Sequence, residues 1–368
     1  MDMHHVLDAV KMLEQRAMLA TIISVEGHAY RKPGASMLIM EDGGVVGTIS
    51  PGCLEGDLKE RTAAITAIPG SWDIVSYNMD PDEDAVWGEA IGCGGKIEVL
   101  VEAVDGLLLQ ALQCMDDLLA LGEAVRFSRF MDNKGLNYTV ENAAALNEAA
   151  APLAPIVDRP QLFSTVVSPR ERVIVFGAGI DAEPISRLLQ QSGFRVVIAD
   201  WRQSLLNRER FAGAELTHSF TAADMARNIG LGSEDYIVVL SHQLLRDREW
   251  IRNCLISGVH YIGVIGSKRR IELLFEGEPL PPSVHAPIGL DIGADGPIEI
   301  AISVAAEMIA VRTAARRAKA STIGGGQNES VRHLFGGREK QPHGEPEAGA
   351  GVERRGAAWR PGAACSIR

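Results

Sequence analysis

The stretch VIVFGAGIDAEP, residues 173–184, decides the fold of the second half of the chain. Its apolar run predicts a buried strand, and the glycine turn that follows opens a predicted helix. Gly177 permits the tight turn, while Gly179 lets a pyrophosphate approach the backbone N–H groups at the helix start. Asp200 ends the next predicted strand, where a dinucleotide-binding pattern carries an acid that accepts hydrogen bonds from a ribose. Together these features predict a Rossmann-type turn.

The rest of this half alternates predicted strands and helices, which is typical of a parallel sheet with crossover helices. We therefore predict a Rossmann-like doubly wound domain over residues 171–318. Two interpretations stay open, because a fold does not determine a function: the domain binds NAD or NADP, or it binds no nucleotide or another ligand. If a dinucleotide binds, we expect NAD rather than NADP, because Asp200 opposes the 2′-phosphate that Arg202 favours.

The first half has short predicted strands with a few helices. We assign residues 1–150 to an N-terminal α+β domain, so the predicted fold class of the whole chain is α/β. Residues 151–170 are rich in Ala and Pro and are predicted to be a linker. Residues 319–368 are rich in Gly and have little apolar pattern, so we predict a disordered tail.

Composition excludes several classes of protein. The 368 residues carry a net charge of −12, which argues against a nucleic-acid or anionic-membrane partner. No apolar run is long enough to predict a membrane span. The five cysteines are odd in number and scattered, which indicates reduced thiols and a cytoplasmic location rather than a disulfide framework.

Two cysteines stand in glycine-containing turns. Cys53, in GTISPGCLEGDL, follows a predicted strand and turn and precedes a helix, where unpaired N–H groups and the helix dipole favour the thiolate. Cys93, in AIGCGGKIEV, is flanked by glycines that let a ligand approach the backbone. The alternative for either thiol is a small buried apolar side chain. Cys114 and Cys254 lie in helical patterns and fit that alternative.

Six stretches occur in one order: GHAYRKPGASMLI, GTISPGCLEGDL, WGEAIGCGGKIEVLVE, VIVFGAGIDAEPISRLL, YIGVIGSKRR and HAPIGLDIGADGPIEIAISVAAEMIA. Together they resemble the XdhC/CoxI family, the accessory factors of molybdenum hydroxylases, over about residues 5–315. The resemblance implies a cytoplasmic homodimer that binds molybdenum cofactor (molybdopterin). It also implies help in replacing the cofactor's terminal oxo ligand by sulfur with a cysteine desulfurase, and delivery to the apo-hydroxylase. We expect a hydroxylase of the xanthine dehydrogenase type.

The residues expected to handle the cofactor come from these stretches and from the nucleotide pattern. Cys53 is the candidate for the catalytic handling of sulfur or molybdenum. The expected binding residues are Arg31, Cys53, Cys93, Gly94, Gly177, Gly179, Asp200 and Asp291, and no set of protein metal ligands is expected.

Two departures from the family pattern affect these expectations. Pro51 stands where many relatives have glycine, and it removes a backbone donor from the turn before Cys53. The hypothesis that this turn handles sulfur or molybdenum therefore depends more on the Cys53 thiol than on backbone donors. Ile180 and Asp181 follow the Gly-x-Gly turn, where many relatives have a histidine, and the charge of Asp181 opposes a pyrophosphate at that helix start.

Three functions are weighed: a molybdenum cofactor chaperone, an NAD(P)-dependent oxidoreductase, and an interaction subunit of a xanthine dehydrogenase complex. Because the cysteines are too scattered for a plant-type iron–sulfur cluster, the chain is not expected to be the redox subunit. The sequence favours the chaperone and leaves open whether the chain is an enzyme.

Overall fold

The computed structural model describes residues 2–79, 95–133, 135–143, 160–322 and 365–367. The chain divides into two compact units. The first contains residues 2–169 and 325–368, and the second contains residues 170–324. The helices of the described residues are α1 (Asp2–Lys11), α2 (Glu55–Thr66), α3 (Gly106–Ala120), α4 (Ala182–Gln191), α5 (Ala222–Ile229), α6 (Leu244–Ile256), α7 (Lys268–Phe275) and α8 (Gly296–Thr322).

The strands of the first unit form two antiparallel sheets, one in the order β3-β2-β1-β5-β4 and one in the order β15-β7-β6-β8. Their bounds are β1 (Ala17–Glu26), β2 (Ser36–Met40), β3 (Val45–Gly47), β4 (Trp72–Asn78), β5 (Lys96–Ala103), β6 (Val125–Asp132), β7 (Gly135–Asn142), β8 (Gln161–Val167) and β15 (Cys365–Ile367).

The central strand β1 is buried on both faces, which explains its nearly continuous apolar sequence. Met18 and Ala20 pack with α2 on one face of the five-stranded sheet. Leu19 points the other way, into a core shared with α1, α3 and the four-stranded sheet. This alternation follows from the two-residue period of a strand.

The second unit is a six-stranded parallel sheet in the order β11-β10-β9-β12-β13-β14. Its strands are β9 (Arg172–Phe176), β10 (Arg195–Asp200), β11 (Glu215–His218), β12 (Tyr236–Val239), β13 (Tyr261–Val264) and β14 (Val284–His285). Counted from β9, this is the 3-2-1-4-5-6 order of a doubly wound dinucleotide-binding sheet. Side chains of β9 alternate between a core with α4 and α8 and a core with α5 and α6. The predicted α/β class, with a Rossmann-like second unit, is confirmed.

Two predicted boundaries are wrong in part. The predicted linker includes residues 161–167, but they form β8, which pairs with β6. Their Thr and Val side chains favour a strand, a signal hidden by the Ala- and Pro-rich residues before them. The predicted disordered tail, residues 319–368, also includes residues that form a helix or a strand. Helix α8 continues past 318 to Thr322, and residues 365–367 pair with the edge strand β7. Within the described ranges, no helix has both the length and the apolar character needed to span a bilayer.

Candidate functional site

The turn before α2 is held by two side chains. Glu55 accepts hydrogen bonds from the Ser50 backbone N–H at 2.9 Å and from the Ser50 hydroxyl. The Ser50 hydroxyl oxygen accepts from the backbone N–H groups of Gly52 and Leu54, at 3.1 Å and 3.2 Å. The Ser50 hydroxyl therefore makes its hydrogen bonds within the turn. Through these contacts Glu55 stabilises the start of the helix.

Cys53 lies two residues before the first residue of α2, is half-buried and carries a free thiol. The thiol borders a shallow pocket with room for about one water molecule. The pocket is lined by Ile22, Ala29, Tyr30, Ile49, Ser50, Pro51, Cys53, Leu54, Met79 and Ile97. This space is smaller than a pterin ring system. Tyr30, one of the lining residues, is 63% exposed.

The Arg31 loop lies close both to Gly95 and to the turn that carries Cys53. Glu26, the last residue of β1, pairs with Lys96, the first residue of β5. The loop that contains Arg31 therefore begins beside the point where the Cys-Gly-Gly segment ends. Strand β3 ends at Gly47, and the chain continues from there to Cys53, which lines one pocket with Ala29 and Tyr30 of the Arg31 loop.

Gly95 packs against the loop that contains Arg31. A Cβ atom at Gly95 would lie 2.2 Å from the backbone oxygen of His28, closer than any real contact. The Gly95 carbonyl accepts a hydrogen bond from the Met79 N–H at 2.8 Å. Cys93 and Gly94 lie outside the described residues, so their predicted roles stay predictions. Arg31 is half-buried in the loop between β1 and β2.

Helix α2 is tied to the sheet by Asp57. Its carboxylate accepts from Tyr77 Oη at 2.5 Å and from Arg61 Nε at 2.8 Å. The hydrogen bond from Arg61 lowers the pKa of Asp57, and the bond from Tyr77 adds to this against the opposing effect of burial. Burial and the Asp57 carboxylate raise the pKa of Tyr77, so the phenol stays protonated and donates. The helix that follows Cys53 is thereby fixed on β4.

The glycine turn of the second unit depends on a close backbone contact. Gly177 has φ +115°, and a Cβ atom there would lie 2.6 Å from Cα of Ser241, which follows β12. A Cβ atom at Gly179 would meet nothing within 4 Å, so the space next to this residue is open. The positive φ of Gly177 is the conformation that the predicted tight turn requires, and the pyrophosphate contact at Gly179 stays a prediction.

Asp200 is fully buried and faces the turn instead of solvent. Its oxygens accept from the Ala178 N–H at 2.7 Å, from the Arg202 N–H at 2.7 Å, and from Arg202 Nε and a terminal guanidinium nitrogen at 3.0 Å and 2.8 Å. Burial by itself raises the pKa of this carboxyl, but the hydrogen bonds from Arg202 and from the Ala178 amide outweigh it and lower the pKa. These four bonds occupy the acceptor capacity of a carboxylate. The predicted ribose contact stays a prediction, and it requires Arg202 to move.

Asp181 and His242 meet at the start of α4. Oδ2 of Asp181 lies 3.4 Å from Nε2 of His242, which follows β12 and has φ +61°. Beside it, the Ser241 hydroxyl donates to the buried Asp247, whose pKa is raised by burial.

Asp291 is exposed in the loop between β14 and α8. Glu307 holds the base of this loop, because its carboxylate accepts from the Gly289 N–H at 2.6 Å and from Tyr261 Oη at 2.6 Å. In the sheet order, β14 is three strands from β9, about 14 Å at the usual strand spacing. A role of Asp291 in binding stays a prediction.

The sequence did not reveal four of the site candidates: Tyr30, Met79, Trp201 and Arg246. Tyr30 stands one position before Arg31, and Met79 is the first residue after β4, so both are brought to Cys53 only by the sheet register. The Arg246 guanidinium carbon lies 5.6 Å from the centroid of the Trp201 ring, although 45 positions separate the two residues. An aromatic residue directly after the acidic strand end was the one signal in the sequence for this second group.

Two family models match the chain. The model described as the XdhC and CoxI family matches residues 13–78, and the model described as the XdhC Rossmann domain matches residues 173–308. The first match contains Arg31 and Cys53, and the second contains Gly177, Asp200 and Asp291. The glycine turn at Gly177 and the turn that carries Cys53 therefore both lie within matched segments.

Curated relatives and a solved structure agree with these models. A protein from Bacillus subtilis (strain 168), named as a probable subunit of xanthine dehydrogenase, is 33% identical over 321 residues, which is 84% of this chain and 97% of the relative. The molybdenum cofactor insertion chaperone PaoD from Escherichia coli (strain K12) is 23% identical, over 80% of this chain and 83% of its own length. A crystal structure from Bacillus halodurans, described as a xanthine dehydrogenase, is 32% identical with a TM-score of 0.75, covering 88% of this chain and all of that one. The chain thus belongs to the XdhC and CoxI family.

Proposed function

We propose that this protein is an accessory factor that holds molybdenum cofactor for a molybdenum hydroxylase. The observation that carries the proposal is the meeting of the Arg31 loop with the Cys53 turn and with Gly95 beside the five-stranded sheet. Membership of the XdhC and CoxI family supports it, and so does the similarity to a molybdenum cofactor insertion chaperone.

The residues at this edge fit such a cofactor. The half-exposed thiol of Cys53 is a soft donor of the kind that suits a sulfur-rich metal centre. A Cβ atom at Gly52 would meet nothing within 4 Å, so the turn is open on its outer side. Arg31 offers a cation for an anionic pterin substituent, and the exposed Tyr30 ring offers a face for stacking.

When bound, the cofactor supplies a molybdenum centre whose terminal oxo ligand is exchanged for sulfur. In this proposal Cys53 holds the molybdenum end, and Ser50 and Glu55 keep the thiol at the pocket mouth. Cys93, two positions before Gly95, is the second candidate thiol. We further propose that a cysteine desulfurase supplies the sulfur and that the client is of the xanthine dehydrogenase type, in purine catabolism. In the same proposal the protein acts as a cytoplasmic homodimer.

Cofactor retention tests the site. The purified wild type, Cys53→Ala and Cys93→Ala proteins are compared for molybdenum content by mass spectrometry and for pterin fluorescence. Cys114→Ala is the matched control, because Cys114 is also a half-buried cysteine but lies in α3. We expect loss of cofactor in the Cys53 variant and retention in the control. Full retention in both Cys53 and Cys93 variants contradicts the assigned site. A wild-type protein without affinity for the cofactor contradicts the function.

Nucleotide binding by the second unit is a separate proposal. It is supported by the 3-2-1-4-5-6 strand order and by the open space beside Gly179. Calorimetric titration of the full chain with NAD and NADP tests it, and heat of binding from neither nucleotide rejects it. Oxidation of purines or aldehydes by the isolated protein with NAD would favour the oxidoreductase alternative.

A further inference from the structure

We propose that the second unit selects a nucleotide with a 2′-phosphate, of the NADP type, through two arginines beside Trp201. The inference rests on the nucleotide binding proposed above and deepens it. The place concerned is the end of β10 at the carboxyl edge of the parallel sheet, where doubly wound folds distinguish the two dinucleotides.

The acid that would select NAD is not accessible to a ribose. Selection of NAD needs a carboxylate whose free oxygen accepts from the 2′-hydroxyl. Asp200 is 0% exposed, and its four hydrogen bonds come from the Ala178 amide and from Arg202. Its charge is paired and buried, so it neither recognises a hydroxyl nor repels a phosphate placed outside it.

Two arginine side chains lie beside Trp201, outside the buried carboxylate of Asp200. The Arg202 side chain is 37% exposed, and its guanidinium carbon lies 4.5 Å from the centroid of the Trp201 ring. Arg202 gives two side-chain N–H groups to Asp200, so three of its five remain for a ligand. Planar guanidinium groups of this kind bind phosphate oxygens in pairs.

Arg246 approaches the same ring from α6. Its guanidinium carbon is 5.6 Å from the Trp201 ring centroid, and one terminal nitrogen donates to the Phe220 carbonyl at 2.7 Å. This bond anchors the side chain while leaving its other N–H groups for a ligand. Both guanidinium groups thus border one indole ring, although they come from different elements of the sheet edge.

Aromatic surface lies beside the two cations. Phe220, which follows β11, is 72% exposed, and Trp201 is half-buried. An adenine base stacks on aromatic rings of this kind. At the other end of the site, the Asp181 carboxylate weakens the contribution of the α4 start to phosphate binding. The arginines therefore carry most of the attraction for the ligand.

The full-length protein is titrated by calorimetry with NADP, NAD and 2′,5′-ADP. We expect NADP and 2′,5′-ADP to bind about tenfold or more tightly than NAD, as charge-assisted hydrogen bonds to one phosphate allow. Arg246→Ala should bring the NADP affinity close to the NAD affinity while leaving NAD binding unchanged. Arg202→Lys keeps a charge beside Asp200 but loses the paired geometry, so it should weaken NADP binding alone. Arg187→Ala, an exposed arginine of α4, is the control and should change neither affinity.

Equal affinity for NAD and NADP overturns the inference and leaves nucleotide binding standing. A preference for NADP that persists in both the Arg246→Ala and Arg202→Lys proteins also overturns it. Binding of neither nucleotide rejects both proposals for this unit. None of these results bears on cofactor retention by the first unit, which is measured independently.

Discussion

Replacing Glu102 by Gln should destabilise the first unit strongly. Arg129, fully buried in β6, donates from Nε to the two carboxylate oxygens of Glu102 at 3.1 Å and 2.9 Å. It also donates to the Thr21 hydroxyl at 3.3 Å. The pair joins β6 of one sheet to β5 of the other inside their shared core. The substitution keeps the shape of Glu102 but leaves the Arg129 charge without its counter-charge.

The expected loss follows from this burial. Removing one partner of a buried pair costs about 3–5 kcal/mol, because the remaining charge stays out of water without compensation. That is roughly a hundredfold to several-thousandfold rise in the unfolding equilibrium constant. Since domains are stable by only about 5–15 kcal/mol, the first unit should approach its limit of stability.

Hydrogen–deuterium exchange in increasing urea measures the effect on each unit separately. Peptides from β1 and β6 should exchange at lower urea in the Glu102→Gln protein, and peptides from β12 should be unchanged. The double variant Glu102→Leu/Arg129→Met should recover most of the loss, because an apolar replacement of both partners removes the desolvation penalty. A loss below about 1 kcal/mol in Glu102→Gln, or a double variant as unstable as the single one, refutes the reasoning.

Three further predictions concern the site and its supports. Iodoacetamide should label the half-exposed Cys53 in the native protein and spare Cys254, whose pKa is raised by burial, until urea unfolds the second unit; peptide mass spectrometry checks this, and equal labelling contradicts it. Asp57→Asn should lower the melting temperature at pH 7. Because the folded pKa of Asp57 lies below the unfolded value of about 3.9, its stabilisation is present above that pH and is lost as the pH falls through the folded pKa. The difference in melting temperature from wild type should therefore shrink from pH 5 to pH 3, and a constant difference would show that the carboxylate charge is not involved. Gly95→Ala should lower the free energy of unfolding in urea by about 1–3 kcal/mol, because the new Cβ atom clashes with backbone. Gly56→Ala, in open space in a helix, should raise it by about 0.5–1 kcal/mol. The opposite order of stabilities contradicts the packing described for Gly95.

The fold was largely predictable because its signals are local. The apolar run before Gly177 and the alternation of strands and helices indicate a parallel sheet without any knowledge of long-range contacts. The strand β8 escaped prediction because seven residues with strand-forming side chains follow a long Ala- and Pro-rich segment. Its place was decided by pairing with β6, a partner more than thirty positions away.

The candidate sites were predictable only in their residue types. The glycine turns and the position of Cys53 next to a helix follow from steric and electrostatic properties of short segments. The register of β1 with β5 brings the Arg31 loop to Gly95, and no local pattern contains that register. The sequence likewise places an acid at the end of β10 but not the direction in which it faces.

The sequence by itself determined that this protein has a doubly wound unit with a glycine turn and a thiol beside a helix start. These depend on φ preferences, strand and helix periods and helix-end polarity, which act over a few residues. Only the tertiary structure decided that Asp200 is turned inward and that Arg246 stands beside Trp201. Those facts depend on which distant segments meet when apolar surface is buried, and that choice is made by the packing of the whole unit.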